Sequence, residues 1–591
     1  MEVRLEGGGE GFRGSLATAT LESGVELVHL KITADAAGVP PVFRLSWSYP
    51  LVGVHGFWHP GAGYDKGLGV DWGEGVYSKA TSGAPVGCLY DLAGRNRLTF
   101  ALSDALNPVT LHAGVHEESA EARCWVRLFD EPWAPLDIYE ATLRLDIRDL
   151  PYHEVLSDVS RWWEDLPGYE PARVPPTARS PMYSTWYSFH QDVDPGRIEE
   201  QCRLAKELGC GAVIVDDGWQ TTSNERGYAH TGDWEPAPEK IPDMRAHVDR
   251  VHALGMKFLL WYSVPFVGVR SGVWERFSGK LLGEIDRLGA GVLDPRFPEV
   301  REFLIETYES ALEEWDLDGF KLDFVDSFGI SRQTGGGRDY DGVPEAVDRL
   351  LEDTIVRLRR IKPDVMVEFR QTYVGPLMRK YGNMFRAMDC PNDAVENRMH
   401  TLDIRLLGGD TATHSDMLMW HPEDPAHSAA LQLVNVLFSV PQISVLLDRI
   451  PPEHMEMLRF WLGFWREHRD VLLDGALRPL HPEANYPIVL ARTPSKLLAA
   501  AYGEAVVPLE GEVPSTLLVV NGTLGEGVVL HLENDAGTRA VEVRDCRGCV
   551  TKSNSIGLEA GLLRIDIPPA GVALLEQPTK VGTLPRERIE L

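Results

Sequence analysis

The chain of 591 residues has few cysteines, seven in all, at positions 88, 124, 202, 210, 390, 546 and 549. This scatter is not typical of a disulfide framework, and a lone Cys546-Arg547-Gly548-Cys549 without a second pair does not make a zinc site. Closely spaced histidine and carboxylate ligands are also missing. We therefore expect no metal and no cofactor.

Long apolar runs are missing too, since a membrane-spanning helix needs about 18 or more apolar residues and the longest candidate, 431–447, is interrupted by polar residues and a proline. The N-terminus shows no basic stretch followed by an apolar one, so no signal peptide is predicted and we expect a cytoplasmic protein with no membrane partner. Basic residues number 58 against 88 acidic ones, for a net charge of −30. Without a basic stripe, nucleic acid is not an expected partner.

The length exceeds one ordinary core and leaves room for a barrel of roughly 250–300 residues. Short alternating runs fill the first part of the chain, a stretch with five prolines spans 167–181, and β-type alternation returns near residue 475. Between these, apolar strands alternate with amphipathic helices. We predict an α/β fold: an N-terminal β-sandwich (1–170), a central (β/α)8 TIM barrel (171–474) and a smaller C-terminal antiparallel β domain, a second sandwich (475–591).

The barrel region carries clear helix and strand signals. Asp194 and Pro195 predict a helix start as N-cap and first helical residue, and Gly209 predicts its end. Further helices are predicted at 300–315 and 344–361, and strands at 212–215, 257–261, 319–324, 365–369 and 442–446.

The strand at 319–324 places two charged residues in an apolar setting. Phe320, Leu322 and Phe324 alternate with Lys321 and Asp323, so a strand would turn the charged pair to one face. A buried pair of this kind must be mutually satisfied or must meet a polar ligand. A purely structural ion pair is the alternative.

Polar residues follow the other predicted strands as well, at the end of a barrel where active sites lie. In chain order these residues are Trp186 and Tyr187; Asp216, Asp217 and Trp219; Trp261 and Tyr262; Lys321, Asp323 and Asp326; Glu368 and Arg370; Arg386 and Asp389; His414, Ser415 and Asp416. Carboxylates accept hydrogen bonds from sugar hydroxyls, and indole faces cover the apolar side of a sugar ring. The set therefore favours a carbohydrate site. Taken singly, each has a structural alternative: a turn cap for Asp216-Asp217, core packing for the tryptophans and His414, and a surface pair for Arg386 with Asp389.

These motifs together resemble those of the retaining α-galactosidases of glycoside hydrolase family 36. The stretches that carry the resemblance are Val215-Asp216-Asp217-Gly218-Trp219-Gln220, Gly232-Asp233-Trp234, Asp318 to Phe324, Arg386-Ala387-Met388-Asp389 and His414 to Asp424. The resemblance implies hydrolysis of terminal, non-reducing α-D-galactosides through a covalent glycosyl-aspartate intermediate, with an oligosaccharide as the small-molecule substrate. It also makes a homo-oligomer plausible.

The resemblance assigns roles by position. Asp323 would be the nucleophile and Asp389 the acid/base, with Asp393 as a second candidate because the string after Asp389 departs from the family pattern. Asp216 and Asp217 would hold the 4- and 6-hydroxyls, and Lys321 and Arg370 would contact ring hydroxyls. The remaining residues expected to line the substrate site are Trp186, Trp219, Trp261, Arg386 and His414.

Two points stay open. The strand-end motif of many family members is replaced by Glu368-Phe369-Arg370-Gln371, which leaves the contacts to the 2- and 3-hydroxyls undecided. The alternatives are galactosyl transfer, as in raffinose-synthase-like relatives, and a changed glycone such as α-N-acetylgalactosaminide or β-L-arabinopyranoside. For the chemistry itself, Lys321 is expected to keep Asp323 ionised, whereas Asp389 needs a raised pKa, which a neighbouring Arg386 would oppose.

Overall fold

Two antiparallel sheets begin the chain in the computed structural model, which describes residues 1–331, 333 and 336–577. The strand order is β1-β4-β10-β9-β6 in one sheet and β2-β3-β11-β8-β7-β5 in the other. One hydrophobic core takes side chains from both sheets, among them Leu45, Phe100 and Val126. This arrangement confirms the predicted N-terminal β-sandwich. Its strands are β1 (Arg4–Gly7), β2 (Phe12–Glu22), β3 (Val25–Gly38), β4 (Phe43–Pro50), β5 (Gly56–Trp58), β6 (Val76–Ser78), β7 (Val86–Tyr90), β8 (Asn96–Leu102), β9 (Val109–His116), β10 (Glu121–Leu128) and β11 (Leu136–Asp146).

A closed barrel of eight parallel strands follows and confirms the predicted TIM barrel; it runs β12-β13-β14-β18-β19-β20-β21-β22, and β22 pairs with β12 to close the ring. The strands of this region are β12 (Met182–Ser184), β13 (Ala212–Val215), β14 (Lys257–Ser263), β15 (Phe266–Gly268), β16 (Leu281–Ile285), β17 (Ala290–Leu293), β18 (Gly319–Asp323), β19 (Met366–Arg370), β20 (Met384–Arg386), β21 (Ala412–Leu418) and β22 (Val440–Ile443). The sequence did not predict strands β15 to β17, which form a separate antiparallel sheet in the order β15-β17-β16, inserted between the third and fourth barrel strands.

Helices connect the barrel strands, and one of them, α3, begins where the sequence predicts. Asp194 accepts a hydrogen bond from the backbone of Arg197 and caps a helix whose first residue is Pro195. The helices of the chain are α1 (Tyr152–Glu164), α2 (Trp186–Phe189), α3 (Pro195–Glu207), α4 (Met244–Ala253), α5 (Trp274–Phe277), α6 (Pro298–Glu314), α7 (Val343–Ile361), α8 (Met378–Tyr381), α9 (Ala394–Leu407), α10 (Ala426–Val434), α11 (Pro452–Glu467) and α12 (Arg469–Asp474).

The last part of the chain returns to β structure. A seven-stranded sheet runs β23-β24-β25-β27-β32-β29-β30, and a three-stranded sheet runs β26-β28-β31. Two pairs, β25 with β27 and β26 with β28, are parallel, a feature that the sequence prediction did not include. These strands are β23 (Ala476–Leu480), β24 (Ile488–Arg492), β25 (Lys496–Ala501), β26 (Val506–Leu509), β27 (Thr516–Asn521), β28 (Val528–Leu532), β29 (Gly537–Arg544), β30 (Val550–Leu558), β31 (Gly561–Ile565) and β32 (Val572–Glu576).

Backbone contacts divide the chain into two compact units. Within the described residues, the first contains 1–422, 436–450 and 481–485, and the second contains 423–435, 451–480 and 486–577. The predicted three-domain division at 170 and 474 stays a prediction, and its last part, 578–591, lies outside the described residues. Among the described helices, none combines the length and apolar character required to cross a bilayer.

Strand β18 shows why the site forms where it does. Phe320 points outward and packs against Tyr308 of α6, with ring centroids 5.7 Å apart. Because side chains alternate along a strand, Lys321 and Asp323 turn to the opposite face, inside the barrel. The parallel register brings Lys321 beside Trp261 of β14 and Glu368 of β19. The polar residues that end the strands are thereby gathered at one end of the barrel.

Candidate active site

Asp323 is a buried carboxylate with donors on both of its oxygens. Arg370 donates from Nε to Oδ1 at 2.9 Å, and Trp261 donates from Nε1 to Oδ2 at 3.1 Å. The hydroxyl of Tyr373 also donates to Oδ1. Burial by itself would raise the pKa of Asp323, but the charges of Arg370 and Lys321 and these hydrogen bonds hold the pKa well below its ordinary value. Asp323 is therefore ionised at neutral pH.

The residue after Asp323 has an unusual backbone. Phe324 has a φ of 64°, in the left-handed region that a bulky residue rarely adopts. Its amide donates to Asp323 Oδ1 at 2.8 Å and lies 3.2 Å from the hydroxyl oxygen of Tyr373. Its ring packs against Tyr228 and Phe266, at centroid distances of 5.1 and 5.0 Å. Strain of this kind persists only where surrounding contacts hold it, and here it orients the Asp323 carboxylate.

Lys321 lies between two carboxylates but is closer to Asp216 than to Asp323. Its Nζ is 2.6 Å from Asp216 Oδ2 and 4.0 Å from Asp323 Oδ2. The expectation that Lys321 keeps Asp323 ionised therefore holds in part, because Arg370 is the nearer cation and the stronger influence on the pKa. Lys321 also fixes Asp216 against β18.

Asp217 has neutral partners. The side-chain amides of Gln191 and Gln220 donate to its two oxygens at 2.6 and 2.7 Å. Burial raises the pKa of Asp217 to about 6, against the opposing effect of these two hydrogen bonds. The pair Asp216-Asp217 thus presents one carboxylate tied to a lysine and one held by amides at the same edge of the site.

Arg386 joins three carboxyl groups. Its Nη2 lies 2.8 Å from Asp389 Oδ1, its Nη1 donates to Asp416, and its Nε lies 3.6 Å from Glu368 Oε1. Tyr187 and the amide of Cys390 donate to the other oxygen of Asp416 at 2.9 and 2.8 Å. Arg386 thus links the three carboxyl groups below the opening of the barrel.

The three carboxyl groups around Arg386 differ in pKa because they differ in exposure. Burial raises the pKa of Asp416 to about 6 and that of Glu368 to about 7, although Arg386 opposes both shifts. The side chain of Asp389 is 46 % exposed. Partial enclosure would raise its pKa, but Arg386 and then Lys321 hold it below the ordinary value. In the ligand-free site Asp389 is therefore ionised, opposite to what an acid requires.

Asp393, the second acid/base candidate, lies outside this group. Its Oδ1 accepts from the backbone of Glu396 at 2.9 Å and caps α9, and Tyr64 donates to its Oδ2 at 3.1 Å. The capping contact gives Asp393 a structural reason to be an aspartate, and the choice between Asp389 and Asp393 as acid/base stays a prediction.

The aromatic and histidine candidates divide by burial. Trp186 is half-buried and lies edge-on to His190, whereas Trp219 is fully buried and donates to the carbonyl of Trp261. His414 is also fully buried, 2.7 Å from the carbonyl oxygen of Ala178, and burial lowers its pKa to about 4. The geometry brings Trp261 to Asp323 but places Trp219 and His414 among core contacts. Their contact with a ligand stays a prediction.

Sequence reasoning missed Tyr373, Gln191 and Gln220 as contacts of the central carboxylates. Tyr373 lies beyond the end of β19, and Gln191 and Gln220 lie in loops near β12 and β13. Loop residues have no periodicity that predicts where they point. The only signal in the sequence that could have found these residues is their closeness along the chain to the charged strand-end residues, and that signal is weak.

One group of residues in the described part of the chain has the spacing of metal ligands: Asp249, His252 and Asp316. Arg245 lies 2.9 Å from Asp249 and 3.6 Å from Asp316, and Lys362 lies 2.6 Å from Asp316. Because these cations already neutralise the carboxylates, the group is an ion-pair network.

Comparison with known proteins connects the barrel to a family. Residues 171–332 match the Melibiase family model. The probable α-galactosidase G of Emericella nidulans is 27% identical over 163 residues, which are 24% of this chain and 22% of that protein. Mel36A, an α-galactosidase of Lactobacillus acidophilus, is 25% identical over 199 residues, 32% of this chain and 27% of that protein. The matches thus span about a quarter of these relatives' length.

Solved structures match over a longer stretch. A family 36 α-galactosidase, AgaA of Geobacillus stearothermophilus, solved with raffinose, aligns with a TM-score of 0.65 and 15% identity over 96% of this chain and 81% of its own. The α-galactosidase of Lactobacillus brevis aligns with a TM-score of 0.63 and 15% identity over 98% and 85%. At this identity the structures show a shared fold. Together with the family-model and sequence matches, they confirm the resemblance to the α-galactosidases of glycoside hydrolase family 36.

Proposed function

We propose that this protein is a glycoside hydrolase that releases terminal, non-reducing α-D-galactose with net retention of configuration. The observation that carries the proposal is the state of Asp323: a buried carboxylate, kept ionised by Arg370 and oriented by Trp261 and Tyr373, at the end of the fourth barrel strand. An ionised, oriented carboxylate at this end of a TIM barrel has the properties of a nucleophile that attacks an anomeric carbon.

Two displacements would complete the reaction. In the first, an oxygen of Asp323 bonds to the anomeric carbon while the bond to the leaving oxygen breaks, and Asp389 gives its proton to that oxygen. In the second, Asp389 takes a proton from water, the water oxygen bonds to the anomeric carbon, and the bond to Asp323 breaks. Both carboxyl groups return to their starting states.

Asp389 must be protonated for the first displacement, although Arg386 lowers its pKa in the ligand-free site. Its 46 % exposure suggests how substrate would change this, because a sugar covering the mouth removes water and disfavours the charged form. The other partners of Arg386, Asp416 and Glu368, compete for its charge. Substrate binding would thus raise the pKa of Asp389 toward that of a general acid.

The remaining polar groups would bind the sugar. By the resemblance, Asp216 and Asp217 accept hydrogen bonds from the 4- and 6-hydroxyls, and Lys321 and Arg370 contact ring hydroxyls near the nucleophile. Half-buried Trp186 offers an aromatic face at the mouth. A neutral oligosaccharide suits this site because each of the cations described in it already has a carboxylate partner, so none is left for an anionic ligand.

The test is to measure hydrolysis of an aryl α-galactoside by Asp323→Ala and Asp323→Asn. Both variants should lose turnover, and the first sugar released by the wild type should be the α-anomer, as followed by NMR. Asp318→Asn is the control, since Asp318 lies one residue before the same strand and pairs with His252 and Lys257 at the opposite end. Full activity of the Asp323 variants, or release of the β-anomer, would contradict the proposal.

A changed glycone is the second candidate. A relative from Flavonifractor plautii, 26% identical over 176 residues, is named an A type blood α-D-galactosamine galactosaminidase. Arg370 and Tyr373 also lie on the Asp323 side of the site, where contacts to the 2-substituent are undecided. Aryl α-galactoside, α-N-acetylgalactosaminide and β-L-arabinopyranoside should be compared by kcat/KM, and an added sugar acceptor would reveal galactosyl transfer. Highest kcat/KM on the N-acetyl substrate would favour this second candidate.

A further inference from the structure

A short segment of the N-terminal sandwich, residues 79–83, lies against two loops of the barrel; we call it the clasp. Lys79 donates from Nζ to the carbonyls of Asp326 and Phe328 at 3.0 and 2.7 Å. The amide of Gly83 donates to the carbonyl of Thr372 at 2.8 Å. Paired backbone hydrogen bonds at 2.9 Å between Lys79 and Ser82 hold the clasp in a tight turn. One rigid turn therefore contacts both loops.

Both contacted loops also contact Asp323. The first loop, 324–328, follows Asp323 directly and begins with the strained Phe324. The second, 371–375, begins immediately after Arg370 and carries Tyr373, and both of these residues donate to Asp323 Oδ1. Asp323 thus joins the loops from inside the barrel, while the clasp joins them from the side of the sandwich.

The clasp and the second loop are packed so closely that one cannot shift without displacing the other. A Cβ atom added at Gly375 would lie 2.7 Å from the carbonyl oxygen of Gly83 and 3.3 Å from that of Ala80. The hydroxyls of Ser82 and Thr372 are 3.4 Å apart at the same contact. A shift of the clasp would therefore move the second loop.

We propose that Lys79 is a positioning residue for Asp323: through the clasp, the N-terminal sandwich fixes the two loops that orient the nucleophile. The inference rests on the proposed function, in which Asp323 attacks the sugar. Lys79 does not touch the carboxylate and acts only through the carbonyls of Asp326 and Phe328. An ammonium group suits this task because it donates to both carbonyls at once. The sandwich thereby helps to position the proposed nucleophile.

Lys79→Met keeps most of the side-chain volume and removes the donors. We expect kcat on an aryl α-galactoside to fall about tenfold or more, with KM within about twofold, because misplacement by a fraction of an ångström slows the attack more than it weakens binding. Lys79→Arg retains donors and should recover part of kcat. Gly375→Ala should lower kcat in the same way without changing any charge.

Lys362→Met is the matched control. Lys362 donates from Nζ to the carbonyls of Asp316 and Leu317, at 2.9 and 2.6 Å, before the opposite end of the same strand β18. The Lys362→Met substitution should lower the melting temperature but leave kcat per folded molecule unchanged. If Lys79→Met behaves in the same manner, losing stability but not kcat, the positioning role is overturned and the clasp is only a structural contact.

Hydrogen exchange gives a readout that does not depend on activity. In Lys79→Met the amides of 324–328 and 371–375 should exchange faster than in the wild type, and in Lys362→Met they should not. Unchanged exchange in Lys79→Met overturns the inference even if kcat falls. A wild type that hydrolyses no α-galactoside, with faster exchange in Lys79→Met, would overturn the proposed function and the nucleophile's role but uphold the clasp as the anchor of both loops.

Discussion

The cation that lowers the pKa of Asp323 most is Arg370, and not Lys321, which lies in the same strand as Asp323. Lys321 shares the strand with Asp323, but its Nζ lies 1.4 Å closer to Asp216 than to Asp323, the difference between 4.0 and 2.6 Å. Arg370, from the neighbouring strand β19, makes the direct contact. The charge that keeps Asp323 ionised therefore comes mainly from the register between strands, which a single strand's sequence does not contain.

The pH profile should reveal the role of Arg370. Arg370 is the strongest of the charges that hold the pKa of Asp323 down, so Arg370→Met should raise that pKa. Since the proposed attack by Asp323 requires its ionised form, kcat/KM should fall more steeply below about pH 6 in the variant than in the wild type. The measurement is kcat/KM on an aryl α-galactoside across the pH range. Arg357→Met, which removes a pair with Glu302 and Glu309 between α6 and α7, should leave the profile unchanged.

Tyr373 offers a second residue-scale prediction. Its hydroxyl donates to the ionised Asp323, and a hydrogen bond to a charged group contributes about 1.5–3 kcal/mol. We expect Tyr373→Phe to lower kcat/KM roughly ten- to a hundredfold, because loss of this hydrogen bond leaves the Asp323 carboxylate less firmly oriented for the proposed attack. Tyr308→Phe is the matched control, because the Tyr308 hydroxyl has no hydrogen-bond partner among the described residues. Equal effects of the two variants would contradict a specific role for Tyr373.

At the scale of secondary structure elements, the sequence predicted elements that carry a clear residue pattern and missed those that carry none. Asp194 and Pro195 predicted the start of α3, and alternation around Lys321 predicted β18. The inserted sheet of β15, β16 and β17 was missed because each of its strands contains a glycine and none shows an alternation of apolar and polar residues. Tyr373 was missed because its position depends on the path of a loop.

The start of α9 allows the two acid/base candidates to be separated. Asp393→Asn keeps a capping side-chain oxygen and should preserve both stability and activity, whereas Asp393→Ala should lower the unfolding free energy by about 1 kcal/mol. Asp389→Asn should strongly reduce hydrolysis of raffinose-type galactosides and reduce less the hydrolysis of aryl galactosides, whose leaving groups need less proton donation. Steady-state kinetics on both substrates checks this. Loss of activity in Asp393→Asn with retention in Asp389→Asn would reverse the assignment.

At the scale of the whole molecule, buried carboxyl groups link stability to pH. Burial raises the pKa of Asp217 and Asp416 to about 6 and that of Glu368 to about 7, whereas in an unfolded chain such groups titrate near pH 4. Between about pH 4 and 7 the folded protein therefore holds more protons than the unfolded chain, and these groups' contribution to the unfolding free energy falls as pH rises. Asp323, with its lowered pKa, contributes in the opposite sense and only at lower pH.

Glu368 is the group through which this linkage can be tested, because it is fully buried in the barrel and is not among the residues proposed to contact the sugar. Glu368→Gln keeps the shape of the protonated side chain and has no proton to lose, so the melting temperature should fall less between about pH 5.5 and 8 than in the wild type. The difference should be on the order of a few degrees, with the variant at least as stable as the wild type near pH 8. Glu313→Gln, an exposed change on α6, should follow the wild-type curve. Scanning calorimetry across the pH range gives the slopes, and parallel curves for Glu368→Gln and the wild type would mean that Glu368 is already ionised in the folded barrel at about pH 5.5, as it is in the unfolded chain.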